Sequence, residues 1–124
     1  MLKQPVHSNK APAALGPYSR GIITGNLIFC SGQTGINEDG ILMEGLTAQT
    51  EQCIKNISAV LSEAGSSLEK VVKCTVFLTD MNDFATVNEI YGKYFPAPYP
   101  ARSCVQVSAL PKNGLVEIEA IATI

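Results

Sequence analysis

Three prolines within five positions, Pro96, Pro98 and Pro100, constrain this chain more than any other local feature. Each ring fixes φ and removes a backbone donor, so neither a helix nor a central strand runs through the stretch 95–100. The stretch reads as a stiff, extended connector. It delivers the chain into ARSCVQVSAL, where β-branched Val105 and Val107 signal a strand. Side chains alternate along a strand. Arg102, Cys104, Gln106 and Ser108 therefore share one face. Ala101, Ser103, Val105, Val107 and Ala109 share the other, which is the face expected to meet the core. A planar, always-charged guanidinium held on such a strand suits a carboxylate or phosphate. The same spacing also describes a solvated or salt-bridged surface arginine, the commoner case. A lone cysteine is commonly a small buried hydrophobe.

At 124 residues, the chain is expected to form one domain over 1–124. Hydrophobic residues make up 46% and charged residues only 16%, against roughly 25% charged in ordinary soluble domains. So few charges leave too little to coat a monomer, and part of the surface is expected to be buried against other subunits. A net charge of −2 gives no general pull toward nucleic acid or an anionic membrane. Cys30, Cys53, Cys74 and Cys104 show no CxxC or CxH spacing, so neither a zinc site nor a redox pair is expected. Each lies in an apolar run, which suits reduced thiols in a reducing compartment. The only histidine, His7, sits near the start, where a solvated role is the ordinary one; a Ser/His/Asp triad would have to rely on it. No apolar leader core or run of 18 apolar residues is present, so a soluble, cytoplasmic protein is expected.

Along the chain, a short edge strand is expected near Lys3–Val6, then an irregular loop through APAALGPYSR. Gly21–Thr24 and Leu27–Ser31 read as a hairpin closed by Gly25-Asn26, two residues that tolerate positive φ. The second strand ends on SGQTG, whose two glycines allow close backbone approach, although no phosphate-loop pattern is present. Leu46 to Ala64 carries a helical stripe at 46, 53, 54, 57, 60, 61 and 64, with Thr47 as N-cap and Gly65 just past the end. Lys70–Thr79 reads as a central strand. A second helix is expected from Asn82 to Phe95, striped by Phe84, Val87, Tyr91, Tyr94 and Phe95. Asn88 falls on that stripe and must find partners, either in a nearby loop or at the mouth of a pocket. The last strand, Leu115–Ile124, sets Val116, Ile118, Ala120 and Ala122 on one face and Glu117 and Glu119 on the other. That second face is either simply exposed or functional. The order β-β-β-α-β-α-β-β predicts an α+β two-layer sandwich, with both helices on one side of a mixed six-stranded sheet. The helix-free side then offers a subunit interface.

The segments APAALGPYS (11–19), FCSGQ (29–33), VVKCTVFLTDMNDFATVNEIY (71–91), PARSCVQVSALPK (100–112) and VEIEAIA (116–122) resemble the RidA (YjgF/RidA) family of reactive-intermediate imine deaminases over essentially the whole chain. The resemblance implies a chorismate-mutase-like fold, a homotrimer with its sheets packed into a central barrel, and clefts between subunits. It implies hydrolysis of 2-imino acids, tautomers of enamines such as 2-aminoacrylate, to 2-keto acids and ammonia. The name 2-iminobutanoate/2-iminopropanoate deaminase covers that activity, and it needs no metal or organic cofactor. By the same resemblance Arg102 clamps the substrate carboxylate and Cys104 lies beside it in the pocket. Glu117 positions or activates water, and Tyr18, Ser31, Gly32 and Asn88 complete the pocket. Two alternatives remain. One is a regulatory module that binds a small keto acid. The other is a ribonuclease or translation inhibitor, against which the lack of a basic patch counts.

Overall fold

The computed structural model describes residues 2–124. Six strands form one sheet: β1 (Gln4–Val6), β2 (Gly21–Thr24), β3 (Leu27–Thr34), β4 (Val71–Leu78), β5 (Ala101–Gln106) and β6 (Val116–Thr123). Two helices, α1 (Leu46–Glu63) and α2 (Phe84–Tyr94), fill the links between β3 and β4 and between β4 and β5. The sheet order is β1-β2-β3-β6-β4-β5. Only β4 and β5 pair in parallel, joined through α2 as parallel neighbours require; every other pairing is antiparallel. The last strand, β6, slots between β3 and β4. The expected α+β order and mixed sheet are therefore what forms.

The core lies between the sheet and α1, whose Ile54, Ile57, Val60 and Leu61 are fully buried against β-strand residues such as Ile28, Val76 and Ile118. Burying each such side chain contributes roughly 1.5–3 kcal/mol. Gly25 takes φ 58° in the hairpin turn, as its dipeptide suggests. Gly65, φ 79°, ends α1 in a Schellman arrangement: Gly65 N–H donates to Ser62 O and Ser66 N–H to Leu61 O.

Four expectations need correction. Thr47 does not cap α1; Gly45 occupies that position without a side-chain cap bond, and Thr47 lies in the first turn. The helix after β4 starts later than Asn82. Met81–Asp83 forms a 3-10 turn, in which the Asp80 side chain accepts from Asn82 N–H, and α2 begins at Phe84. Strand β3 does not end at Ser31 but runs to Thr34, with a register shift between Cys30 and Gln33. The fourth concerns β5. Arg102 and Cys104 point toward the helices, while Ala101, Ser103 and Val105 are exposed on the helix-free side. Register explains this: Arg102 pairs with Cys74 and Cys104 with Val76, both fully buried under the helices. Alternation alone turns the apolar side of this edge strand inward, but here that side faces outward.

Candidate functional site

The sequence-expected residues fall into two groups. The first surrounds a cavity of about 690 Å³ at one end of the sheet, lined among others by Leu15, Tyr18, Ser31, Gly32, Lys112 and Glu117. Its floor is the irregularity in β3, where Ser31 and Gly32 together stand opposite the single residue Glu119 of β6. Such bulges re-aim side chains next to sites. Ser31 donates its hydroxyl to Ser19 O at 2.6 Å, and its N–H donates to Arg20 O. Glu117 lies directly over Gly32. A Cβ at Gly32 would come within 2.5 Å of Glu117 Oε2 and 2.8 Å of its Cδ. Only a glycine lets the carboxylate rest there. Burial, reinforced by nearby Glu119, raises the Glu117 carboxyl above its usual range. Tyr18 is 54% exposed and its hydroxyl accepts from Leu15 N–H. Arg20 pins this N-terminal loop: its Nε donates to Pro12 O at 2.7 Å and its Nη1 to Ser8 O.

The second group lies elsewhere. Arg102 sits on β5 with its guanidinium over the Tyr91 and Phe84 rings of α2. Cys104 is half-buried two residues on, its thiol pushed up by burial and pulled back by Arg102. A raised thiol stays protonated at neutral pH, which argues against Cys104 as a nucleophile. Asn88 is half-buried on the helical face that carries Phe84 and Tyr91, and its amide makes no hydrogen bond among the described residues. Glu117 and Arg102 lie on opposite faces of the sheet, on strands separated by β4. Two inter-strand steps already span about 10 Å. One copy of the chain therefore does not bring its acid and its arginine together.

Several residues that build the site escaped the sequence reading. Gln49 and Asn56 are buried on α1. Gln49 donates to Met43 O at 3.0 Å and accepts from Leu115 N–H at 2.8 Å. Asn56 donates to Thr34 O and Ile36 O. One turn of α1 on from Gln49, Cys53 Sγ lies 3.5 Å from Val116 O. Together they tie the cavity wall and the start of β6 to α1, two residues before Glu117. The available signal was their polarity inside an apolar stripe, the one noticed for Asn88. Lys112 reaches Gly40 O across the cavity rim from a backbone with φ 54°. Among the described residues no cluster of three His, Cys, Asp or Glu side chains is placed to hold a metal ion.

Fold and candidate site define a class: an α+β protein with one mixed sheet and two groups of candidate residues on opposite faces. The chain belongs to the Endoribonuclease L-PSP family, the YjgF/RidA family, whose model matches residues 8–124. It is 54% identical to the chloroplastic Reactive Intermediate Deaminase A of Arabidopsis thaliana over 98% of this chain and 66% of that protein. It is 44% identical to the 2-iminobutanoate/2-iminopropanoate deaminase of Bos taurus, covering 98% of this chain and 90% of the other. The crystal structure of E. coli TdcF with bound serine superposes with a TM-score of 0.94 at 41% identity, covering 98% of each chain.

Proposed function

We propose that this chain is an imine deaminase that hydrolyses 2-imino acids to 2-keto acids and ammonia, in active sites completed between copies. The observation that carries the reading is the pair of half-sites. An arginine with no ion-pair partner among the described residues stands on one sheet face, and an acid over a glycine-floored cavity stands on the other. A closed oligomer sets one copy's Arg102 against its neighbour's Glu117. The low charge content and the apolar side chains of the helix-free face, with Phe29 and Val105 exposed there, favour a homotrimer built on that face. The names of relatives such as the bovine protein support the substrate class.

The chemistry asked of the protein is modest. Arg102 takes the substrate carboxylate through two parallel charge-assisted hydrogen bonds. Glu117 orients a water toward the imine carbon and accepts its proton. The carbinolamine formed from the protonated imine takes that proton back on its nitrogen, the C–N bond breaks as ammonia leaves, and the hydroxyl proton passes to Glu117 as the C=O bond forms. Holding water against a clamped electrophile is the main contribution. Tyr18, Ser31, Gly32 and Asn88 shape the pocket, and Cys104 packs beside the clamp. The reaction needs only water, so no cofactor is invoked. The free thiols suit a reducing, cytoplasmic setting, and no helix is long and apolar enough to cross a membrane among the described residues.

Nuclease activity is the weaker reading, although the family description carries that word. The cavity sets Glu38, Asp39 and Glu117 against Arg20 and Lys112, an acidic balance that repels a phosphodiester backbone. The test generates 2-aminoacrylate from serine with a coupled enzyme and follows pyruvate release. Catalytic amounts of wild-type protein should accelerate it. Arg102→Ala should lose about two to four orders of magnitude in kcat/KM, since charge-assisted bonds contribute roughly 1.5–3 kcal/mol each. Arg102→Lys should be badly impaired as well, because an ammonium cannot form the paired geometry. No acceleration by wild type, with keto acid still bound, would favour the regulatory module; RNA cleavage under the same conditions would favour the nuclease.

A further inference from the structure

The Arg102 guanidinium makes no hydrogen bond and no ion pair among the described residues. Its central carbon lies 4.9 Å from the Tyr91 ring centroid and 5.6 Å from that of Phe84. Both rings project from the same side of α2. Tyr91 is in turn stacked on Phe95, with centroids 4.3 Å apart and planes inclined by 27°. Tyr91 and Phe95 are 5% and 1% exposed, so the platform beneath the arginine is locked in the core. Aromatic faces are negative and attract a guanidinium within about 6 Å. They do so without occupying its N–H donors. The buried Tyr91 hydroxyl interacts with the Cys74 thiol and not with the guanidinium, so it takes none of those donors either.

We propose that Tyr91 and Phe84 are positioning residues for substrate binding: their rings hold the Arg102 guanidinium in place of a protein carboxylate and leave its N–H fork open for the carboxylate of the substrate. This rests on the reading of Arg102 as the carboxylate clamp. An acidic side chain would hold the arginine equally well, but every substrate would have to displace it. A ring face orients the charge without neutralising it. The ligand that completes such a site is a small carboxylate, whose two oxygens match the fork.

The device acts on binding in ground and transition states alike, so its loss should appear in KM rather than kcat. The test compares Phe84→Leu, Tyr91→Leu, Tyr91→Phe and Arg102→Ala with wild type. Four quantities are measured: kcat, KM, the calorimetric Kd for 2-oxobutanoate, and Tm. Phe84 is partly exposed, so Phe84→Leu should fold. It should raise KM and Kd about 3- to 10-fold and leave kcat within about twofold. Tyr91→Leu should raise both by about 10-fold or more, while Tyr91→Phe, which keeps the ring, should match wild-type KM. A role in packing alone would lower Tm and leave KM and Kd unmoved. Wild-type KM and Kd in Phe84→Leu and Tyr91→Leu, beside an impaired Arg102→Ala, would overturn the platform and spare the clamp. Wild-type values in Arg102→Ala as well would remove the clamp itself. Should Tyr91→Leu fail to fold, Phe84→Leu alone decides.

Discussion

Gly32 and Glu117 act as one unit. Gly32→Ala would thrust a methyl group at the Glu117 carboxylate, the far end of a flexible side chain, which can swing away at little cost to folding. The acid would then leave its place by an ångström or so, and such misplacement costs up to about 100-fold. Gly32→Ala should therefore fold with near-wild-type Tm and lose about 10- to 100-fold in kcat. The raised Glu117 carboxyl makes a second prediction with a definite sign. A folded-state value above the unfolded one means that the ionised acid opposes folding at neutral pH. That penalty is relieved as pH falls through the raised value. Glu117→Gln never carries the charge. It should melt above wild type at pH 7, lose most activity, and show a Tm advantage that fades toward pH 4. An inactive variant that melts well below wild type at pH 7 would contradict the assigned cost of burial. Activity of wild type should likewise fall at a higher pH on its acidic limb than an ordinary glutamate would give.

At the scale of elements, α1 does more than close the core. Its buried amides accept the backbone irregularities that the site requires. The end of β3, the loop after it and the turn into β6 leave polar groups unpaired by the sheet, and Gln49 and Asn56 satisfy several of them. Gln49→Leu keeps the volume and strands Leu115 N–H and Met43 O. Each buried unsatisfied group costs about 1–3 kcal/mol. Denaturant titration should show a loss of about 2–4 kcal/mol, and kcat should fall because the strand bearing Glu117 is loosened. A stability change under about 0.5 kcal/mol would show that water replaces both bonds. Gly35 is held to glycine by the same contact, since a Cβ there would lie 2.5 Å from the Gln49 Cα, a backbone atom with nowhere to go.

For the whole molecule, the proposed mechanism makes assembly a condition of activity, because Arg102 and Glu117 stand on opposite faces of the sheet. Sedimentation equilibrium should return three times the chain mass at micromolar concentration, and a monomer would remove the proposed site. Complementation gives a sharper test. Arg102→Ala and Glu117→Gln proteins, each inactive alone, should regain activity when refolded together. In a ring that pairs the arginine of one copy with the acid of the next, every mixed trimer holds one intact site. Random mixing should then recover about a quarter of wild-type activity. No recovery in trimers shown by mass to be mixed would place both residues in one chain's site.

How much of this was legible beforehand depended on the range of the interaction responsible. The element order, the Gly25-Asn26 hairpin, the stop at Gly65 and the burial of Val116 and Ile118 opposite Glu117 are local matters of turn chemistry and side-chain period. They follow from residues within a few positions of one another. Family resemblance names the site residues, whereas spacing alone suggests a carboxylate or phosphate site at Arg102 without separating it from an ordinary surface arginine. The face of β5 could not be read locally, because an edge strand with Val105 on one side and Arg102 on the other has no internal sign of which side a helix will cover. Pairing Arg102 with Cys74 in a parallel register, under the rings of α2, decided it. The bulge at Ser31–Gly32 and the reach of Gln49 to Leu115 were likewise invisible, since each joins segments many residues apart. The sequence by itself determined which elements form and which residues carry charge or donors. Only the tertiary structure decided which faces those residues occupy, because that depends on long-range pairing, where a one-residue change of register turns every side chain to the other face.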